Sequence, residues 1–260
     1  MKRIVGSGSL TGFKNKAREE NGRWWNTRKW LIQSVVWLLI INGISSIALV
    51  QLMHTEATFT LGGFVTVFAG LMGWMVAFGI IILTQSDIVQ EKESGTAEWV
   101  LSSPLSRVSF ILSKLLVNLA WLLAILVLLQ GVVFNMVIGA LGAGSVPWPL
   151  LAQGLALQGL QLVFWLSLVL MLGTFFKTRN PVIGVPLIFL FLQTLIPTIV
   201  GPSNSWVSLV LPHTLPEYSA ILMNGGQLPS LVPLATTVGA SLVFVFLAIL
   251  RFNREEFKGT

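Results

Sequence analysis

Asp87, Glu91, Lys92, Glu93 and Glu98 form a mostly acidic run between two apolar stretches, and these are the residues through which the chain can do chemistry. No histidine or cysteine accompanies them, and the chemistry they suggest is recognition rather than bond making. Asp87 and Glu91 stand one helical turn apart, a like-charge pair that is mildly destabilising in isolation. A basic partner surface would relieve it. Directly after them, Trp99, Val100 and Leu101 form a contiguous apolar patch, and such patches, when exposed, commonly mark binding sites. Charge and patch together point to a docking element.

Other chemistries lack their residues. The chain has no cysteine and two histidines, His54 and His213, too far apart for a metal-ligand spacing. No H-E-x-x-H or G-x-S-x-G pattern occurs, so no catalytic residue and no metal site is expected. The glycine-rich GSGSLTGFK near the start lacks the G-K-[ST] ending of a phosphate loop and reads as a flexible leader. The polar residues inside the apolar runs are neutral: Asn42, Asn118, Gln130, Asn135, Gln153, Gln158, Gln161 and Gln193. Proton-coupled carriers usually place ionisable groups at that depth. Gln158 and Gln161 share a helix face; they line a path or bond a neighbouring helix.

The docking element needs elements to hold it. Gly95 can close the arriving helix, because glycine tolerates the left-handed conformation. Thr96 can cap a short new helix with Glu98 in its first turn, where the dipole favours a negative charge. Pro104 stops that helix, since it pushes Ser103 out of helical geometry. Ser106 then caps the next long helix. A short helix is thus expected between two long apolar ones.

Those long helices are membrane spans. Of 260 residues 54% are hydrophobic and only 10% charged, far below the quarter expected of a soluble domain. Six apolar runs reach the ~20 residues that cross a hydrocarbon core: Leu31–Met53, Leu61–Thr84, Phe110–Ile138, Leu150–Phe176, Pro181–Val200 and Leu231–Leu250. With six spans, every lysine and arginine falls on one side: eight before the first span, then Lys92, Arg107 and Lys114, then Lys177 and Arg179, then Arg251, Arg254 and Lys258. The positive-inside rule makes that side cytoplasmic, with both termini inside. The net charge of +6 therefore reports topology, and no nucleic-acid partner is expected.

Residues 1–30 read as a cytoplasmic tail and an interfacial helix, Lys14–Trp30, with Trp24, Trp25 and Trp30 at headgroup level and a break at Gly22. The start has no apolar core behind its basic residues, so targeting is expected from the first span. Residues 31–260 form a single transmembrane domain. Ala69, Gly73 and Ala77 give the second span a small-residue face, for packing within the bundle or for a seam with a second copy. The proline-broken segment Gly201–Ser230 is expected to form short re-entrant helices outside, before the sixth span.

The pattern Glu91-x-Glu93-x-Gly95-Thr96-x-Glu98, then Pro104-Leu105-Ser106-Arg107, then Lys114, resembles the signature of exporter-type ATP-binding-cassette (ABC) permeases between their second and third spans. The resemblance is local, over about thirty residues, and the rest of the chain matches in architecture only. It implies an all-α integral membrane fold with six spans, both termini inside, an N-terminal interfacial helix and a coupling helix at Gly95–Ser103. That helix would seat in a separate ATPase subunit. The implied contact residues are Glu91, Glu93, Gly95, Thr96, Glu98, Trp99, Val100, Leu101, Pro104 and Arg107, with Lys177 and Arg179 as a second contact. The implied partners are that ATPase, which holds ATP and Mg, a second permease copy or paralogue, and membrane lipid; this chain would bind no cofactor. The implied setting is the cytoplasmic membrane of a prokaryote. The other reading of the same patch is a membrane anchor or scaffold that binds a cytoplasmic partner and transports nothing.

Overall fold

A computed structural model describes residues 8, 10–55, 60–94, 105–200 and 209–254, and among them every regular element is helical. Helix α1 (Phe13–Asn26) leads into the first span, which joins α2 (Lys29–Trp37), a π turn at Leu38–Gly43 and α3 (Ile44–Thr55). Next come α4 (Leu61–Thr84), the short α5 (Val89–Glu93), α6 (Arg107–Leu122), a second π turn at Leu123–Leu128 and α7 (Leu129–Ala140). The chain continues through α8 (Trp148–Phe175), α9 (Arg179–Val200), α10 (Leu215–Met223) and α11 (Val232–Arg254). Six helices are long and apolar enough to cross a membrane: Lys29–Gln51, Leu61–Glu93, Arg107–Ala140, Trp148–Phe175, Arg179–Ile196 and Val232–Arg254.

The six spans correspond to those read from the sequence, but most run further. The second continues through a turn at residues 85–88 into α5 and ends at Glu93, and the third starts at Arg107. Ser106 caps α6 as its position predicts, its hydroxyl accepting from the Ser109 N–H at 3.0 Å. Pro149 sits in the first turn of α8, where a missing N–H costs nothing. The expected break at Gly22 is absent: α1 runs through it, and the chain turns at Arg28, whose φ is 53°.

Helix α8 is the axis. In it 78% of the apolar window is buried, against 22% in the first, fifth and sixth spans, which present their apolar faces outward. It packs against α4, α9, α10 and α11, and also against α6. In lipid, apolar side chains give helices no register, so close approach and polar bonds must supply it. Gly73 and Gly154 allow the approach: a Cβ on Gly73 would lie 2.2 Å from Pro216, and one on Gly154 would lie 2.4 Å from Met223. The Ala69/Gly73/Ala77 face is thus filled by α8 and α10 of the same chain, and the alternative of a seam with a second copy is not what occupies it. Across the bundle, the Asn42 amide donates to Gln130 Oε1 at 2.6 Å, and Asn135 exchanges two hydrogen bonds with the Val146 backbone.

If this reading of the glycines is right, Gly154→Ala lowers stability by about 1–3 kcal/mol, the usual cost of overpacking. Gly239→Ala, which has open space around its Cβ, leaves stability unchanged. Thermal unfolding in detergent, followed by circular dichroism, measures both.

Candidate functional site

The ends of five helices converge on the residues that flank positions 95–104. The predicted coupling helix itself, with Gly95, Thr96, Glu98, Trp99, Val100, Leu101 and Pro104, lies outside the described residues. What holds its two ends is described.

On the leading side, Glu91 is 5% exposed, and one of its oxygens, Oε1, gathers three cations: Arg23 at 2.6 Å, Lys114 at 2.9 Å and Lys16 at 3.7 Å. Lys114, 1% exposed, bonds Glu20 as well, at 3.0 Å. Lys16 reaches Glu19 at 3.0 Å and Glu20 at 3.2 Å, and Arg23 reaches Glu19 at 3.0 Å and Glu20 at 3.5 Å. Three cations from α1 and α6 therefore meet three carboxylates from α1 and α5, and the cluster is electrically balanced. Burial works against the charge on Arg23, but Glu20, Glu91 and Glu19 outweigh it and hold its pKa above the ordinary value.

This overturns one sequence expectation. Glu91 is not offered outward to set the register of a partner, and the Asp87/Glu91 repulsion needs no foreign basic surface. Lys114, Lys16 and Arg23 of the same chain relieve it. The signal was in the sequence, since Lys16, Glu20 and Arg23 share one face of a helix at i, i+4 and i+7. Their partner strand of charge, 70 residues away, was not visible.

Indoles complete the seat of α1. Trp24 is buried; its Nε1 donates to Asn118 Oδ1 at 3.0 Å and its ring stacks on Trp121, with centroids 5.9 Å apart. Asn118 turns its Nδ2 to Asp87. Trp121 donates to Asn21 at 2.9 Å, and Trp25 stacks on Trp30 with centroids 5.4 Å apart.

The next two residues tie α5 to the other side of the bundle. Lys92 donates to the Thr174 carbonyl at the end of α8, at 2.7 Å. Glu93 lies 3.8 Å from Arg179 at the start of α9, both about half exposed. Glu93 and Arg179, assigned to two separate contacts by the resemblance, are thus neighbours, with Lys177 exposed beside them. On the trailing side, Arg107 donates to the Phe252 carbonyl at 3.1 Å and to that of Asn253, capping α11. The Ser106 N–H donates to the Thr11 carbonyl at 3.1 Å. Gln158 and Gln161 lie far along α8 from this node: each donates to a carbonyl of α4, Ala69 at 3.1 Å and Gly73 at 3.3 Å, and Gln161 also lines a cavity.

The fold and the node define a multi-pass helical membrane protein with its charged residues concentrated at one end of the bundle. More particularly, the chain belongs to the family described as "Protein of unknown function (DUF2705)", which matches residues 30–257. No curated protein matches it. Helix α1 precedes the matched residues yet supplies half of the buried charge.

Glu91→Leu strands Lys114 and Lys16 with fewer counter-charges, and is expected to cost about 3 kcal/mol or more, as for other broken buried pairs. Glu93→Gln, at a half-exposed pair, costs under about 1 kcal/mol. Unfolding titrations of the purified variants test the contrast, and adding Lys114→Met to Glu91→Leu should restore part of the loss.

Proposed function

We propose that the chain is the membrane-spanning permease subunit of an ATP-driven exporter of the ABC type. In this reading, ATP and Mg are bound and hydrolysed by a separate subunit, positions 95–103 are the coupling helix, and a second copy or paralogue completes the membrane unit. The observation that carries the reading is the node. Every described helix end around positions 95–104 is bonded to a neighbour: α5 to α1, α6, α8 and α9, and the start of α6 to α11.

A force applied to the intervening segment would therefore move the bundle as a body rather than bend one loop. Rigid elements of this kind are what domain rotations require. Further support comes from the one-sided placement of lysine and arginine, which makes the node end cytoplasmic. Among the described residues the middle of each span carries no Asp, Glu, Lys or Arg, which also fits a bundle driven from outside itself. On this topology α10 lies toward the outer face, docked on α4 and α8.

The absence of cysteine makes any introduced thiol unique. Val100→Cys should cross-link to a cytosolic ATP-hydrolysing subunit that co-purifies from the native membrane, and a membrane-impermeant maleimide should label it only from the inside. Gly95→Pro and Glu98→Lys should each reduce hydrolysis to the rate of the ATPase alone while the chain still inserts in the membrane. Full stimulation in both variants would defeat the proposal. Binding with no change in hydrolysis in the unmodified chain would favour the scaffold instead.

A further inference from the structure

Between α4, α8, α9 and the turn that leads into α10 lies a cavity of about 290 Å³. It is near the lower end of the ~300–1,000 Å³ typical of small-molecule pockets. Its α4 wall is bare at Gly70, where a Cβ would meet nothing within 4 Å, while Gly73 is closed over by Pro216. Trp74, which packs against Phe191 with ring centroids 5.5 Å apart, gives it an aromatic side.

The polar groups that line it are unusual for an apolar bundle. Gln161 is 2% exposed, and its bond to the Gly73 carbonyl fixes which end of the amide is nitrogen. Its Oε1 is consequently an acceptor left buried with no partner. From the facing helix, Gln193 is 1% exposed and its Oε1 is likewise without a partner. His213 presents an unpartnered Nδ1, and burial pushes its pKa below the ordinary value, so the ring is neutral near pH 7. Glu217, exposed on the first turn of α10, places a carboxylate at the rim. Among the described residues no lysine or arginine lines the space.

A buried, unpartnered amide oxygen costs roughly 1–3 kcal/mol, and native structures rarely leave one without a reason. Here Gln161 and Gln193 line one space from opposite walls, each with an unpartnered carbonyl oxygen within a side-chain rotation of it, and Glu217 adds a carboxylate to the same lining. All three are acceptors. The group that satisfies such a set is a cation carrying several N–H donors: an ammonium has three donors and no acceptor. An aromatic wall suits the same ligand, through both apolar contact and attraction of the ring for a cation.

We propose that this cavity is a binding site for an amphipathic cation whose primary ammonium group donates to Gln161, Gln193 and Glu217 while its apolar body lies along Trp74. Binding requires no ATPase and does not rest on the coupling reading, so the two stand or fall separately.

The full chain in phosphatidylcholine nanodiscs, which carry no net lipid charge, is titrated with dansylcadaverine, an apolar fluorophore bearing one free primary amine, and with its N-acetylated counterpart. Fluorescence anisotropy reads binding. The amine should saturate, with the acetylated compound at least ~10-fold weaker, the factor that corresponds to 1.4 kcal/mol. Gln161→Leu and Gln193→Leu should each weaken the amine by a comparable factor, and Glu217→Gln by less. Gly70→Leu, which fills the open space without touching the acceptors, should abolish saturable binding, and it serves as the check should a glutamine variant fold poorly. Equal binding of the two compounds, no saturable binding of the amine, or unchanged affinity in Gly70→Leu would each overturn the assignment and leave the cavity to water.

Discussion

One carboxylate oxygen shared among three cations is the constraint on which this structure depends. Glu91 Oε1 is the point where α1, α5 and α6 meet, and no apolar contact could replace it as a determinant of position. A buried ion cluster contributes little net stability, because desolvation of each charge offsets most of the attraction. What it enforces is geometry: only one arrangement leaves Lys16, Arg23 and Lys114 each facing a carboxylate. In a bundle whose outer faces are as apolar as lipid, that selectivity is scarce and valuable.

The same logic repeats along the helices. Asn42 and Gln130 pair near the two π turns, and Gln130 itself donates to the Ile125 carbonyl at 2.9 Å, a carbonyl that the wider turn leaves accessible. Gln158 and Gln161 fix the rotation of α8 against α4. Asn135 fixes the far end of α7 against Val146. These polar residues are each spent on one or two neighbours, and the apolar residues fill the space so defined. Gln161, like Gln158 and Asn42, spends only its nitrogen.

The six spans were legible in the sequence because apolar length is a one-dimensional property, and so was the Ser106 cap, which depends on residues three apart. The ends of the spans were less so: Lys29, Glu93, Arg107 and Arg179 are polar, yet they continue helices because nothing local stops them. The residues of the node stood out in the sequence, but their pairing could not be read. Glu91 looked outward-facing because its partners are Lys114, 23 residues on, and Arg23, 68 residues back, and only the packing of α1 on α6 brings them together. The bond made by Trp24 was hidden for the same reason, because its acceptor Asn118 lies 94 residues away. The cavity was half legible: Gln161 stood out as a polar residue on a shared face, whereas Gln193 and His213 join it only through the fold.

Distance along the helices connects the two ends of the molecule. From Gly73 to Glu91 the chain advances 18 residues, and from Gln161 to Thr174 it advances 13, which at 1.5 Å per residue separates cavity and node by roughly 20–27 Å. Both helices run from one to the other, and they are cross-bonded at the cavity by Gln158 and Gln161 and at the node by Lys92. Two struts braced at both ends do not slide independently. Any displacement at the node that tilts α4 must tilt α8 with it. Helix α9 follows α8 after three residues and packs its rings on both struts, Phe191 on Trp74 and Phe189 on Trp165, so the wall that carries Gln193 is braced as well.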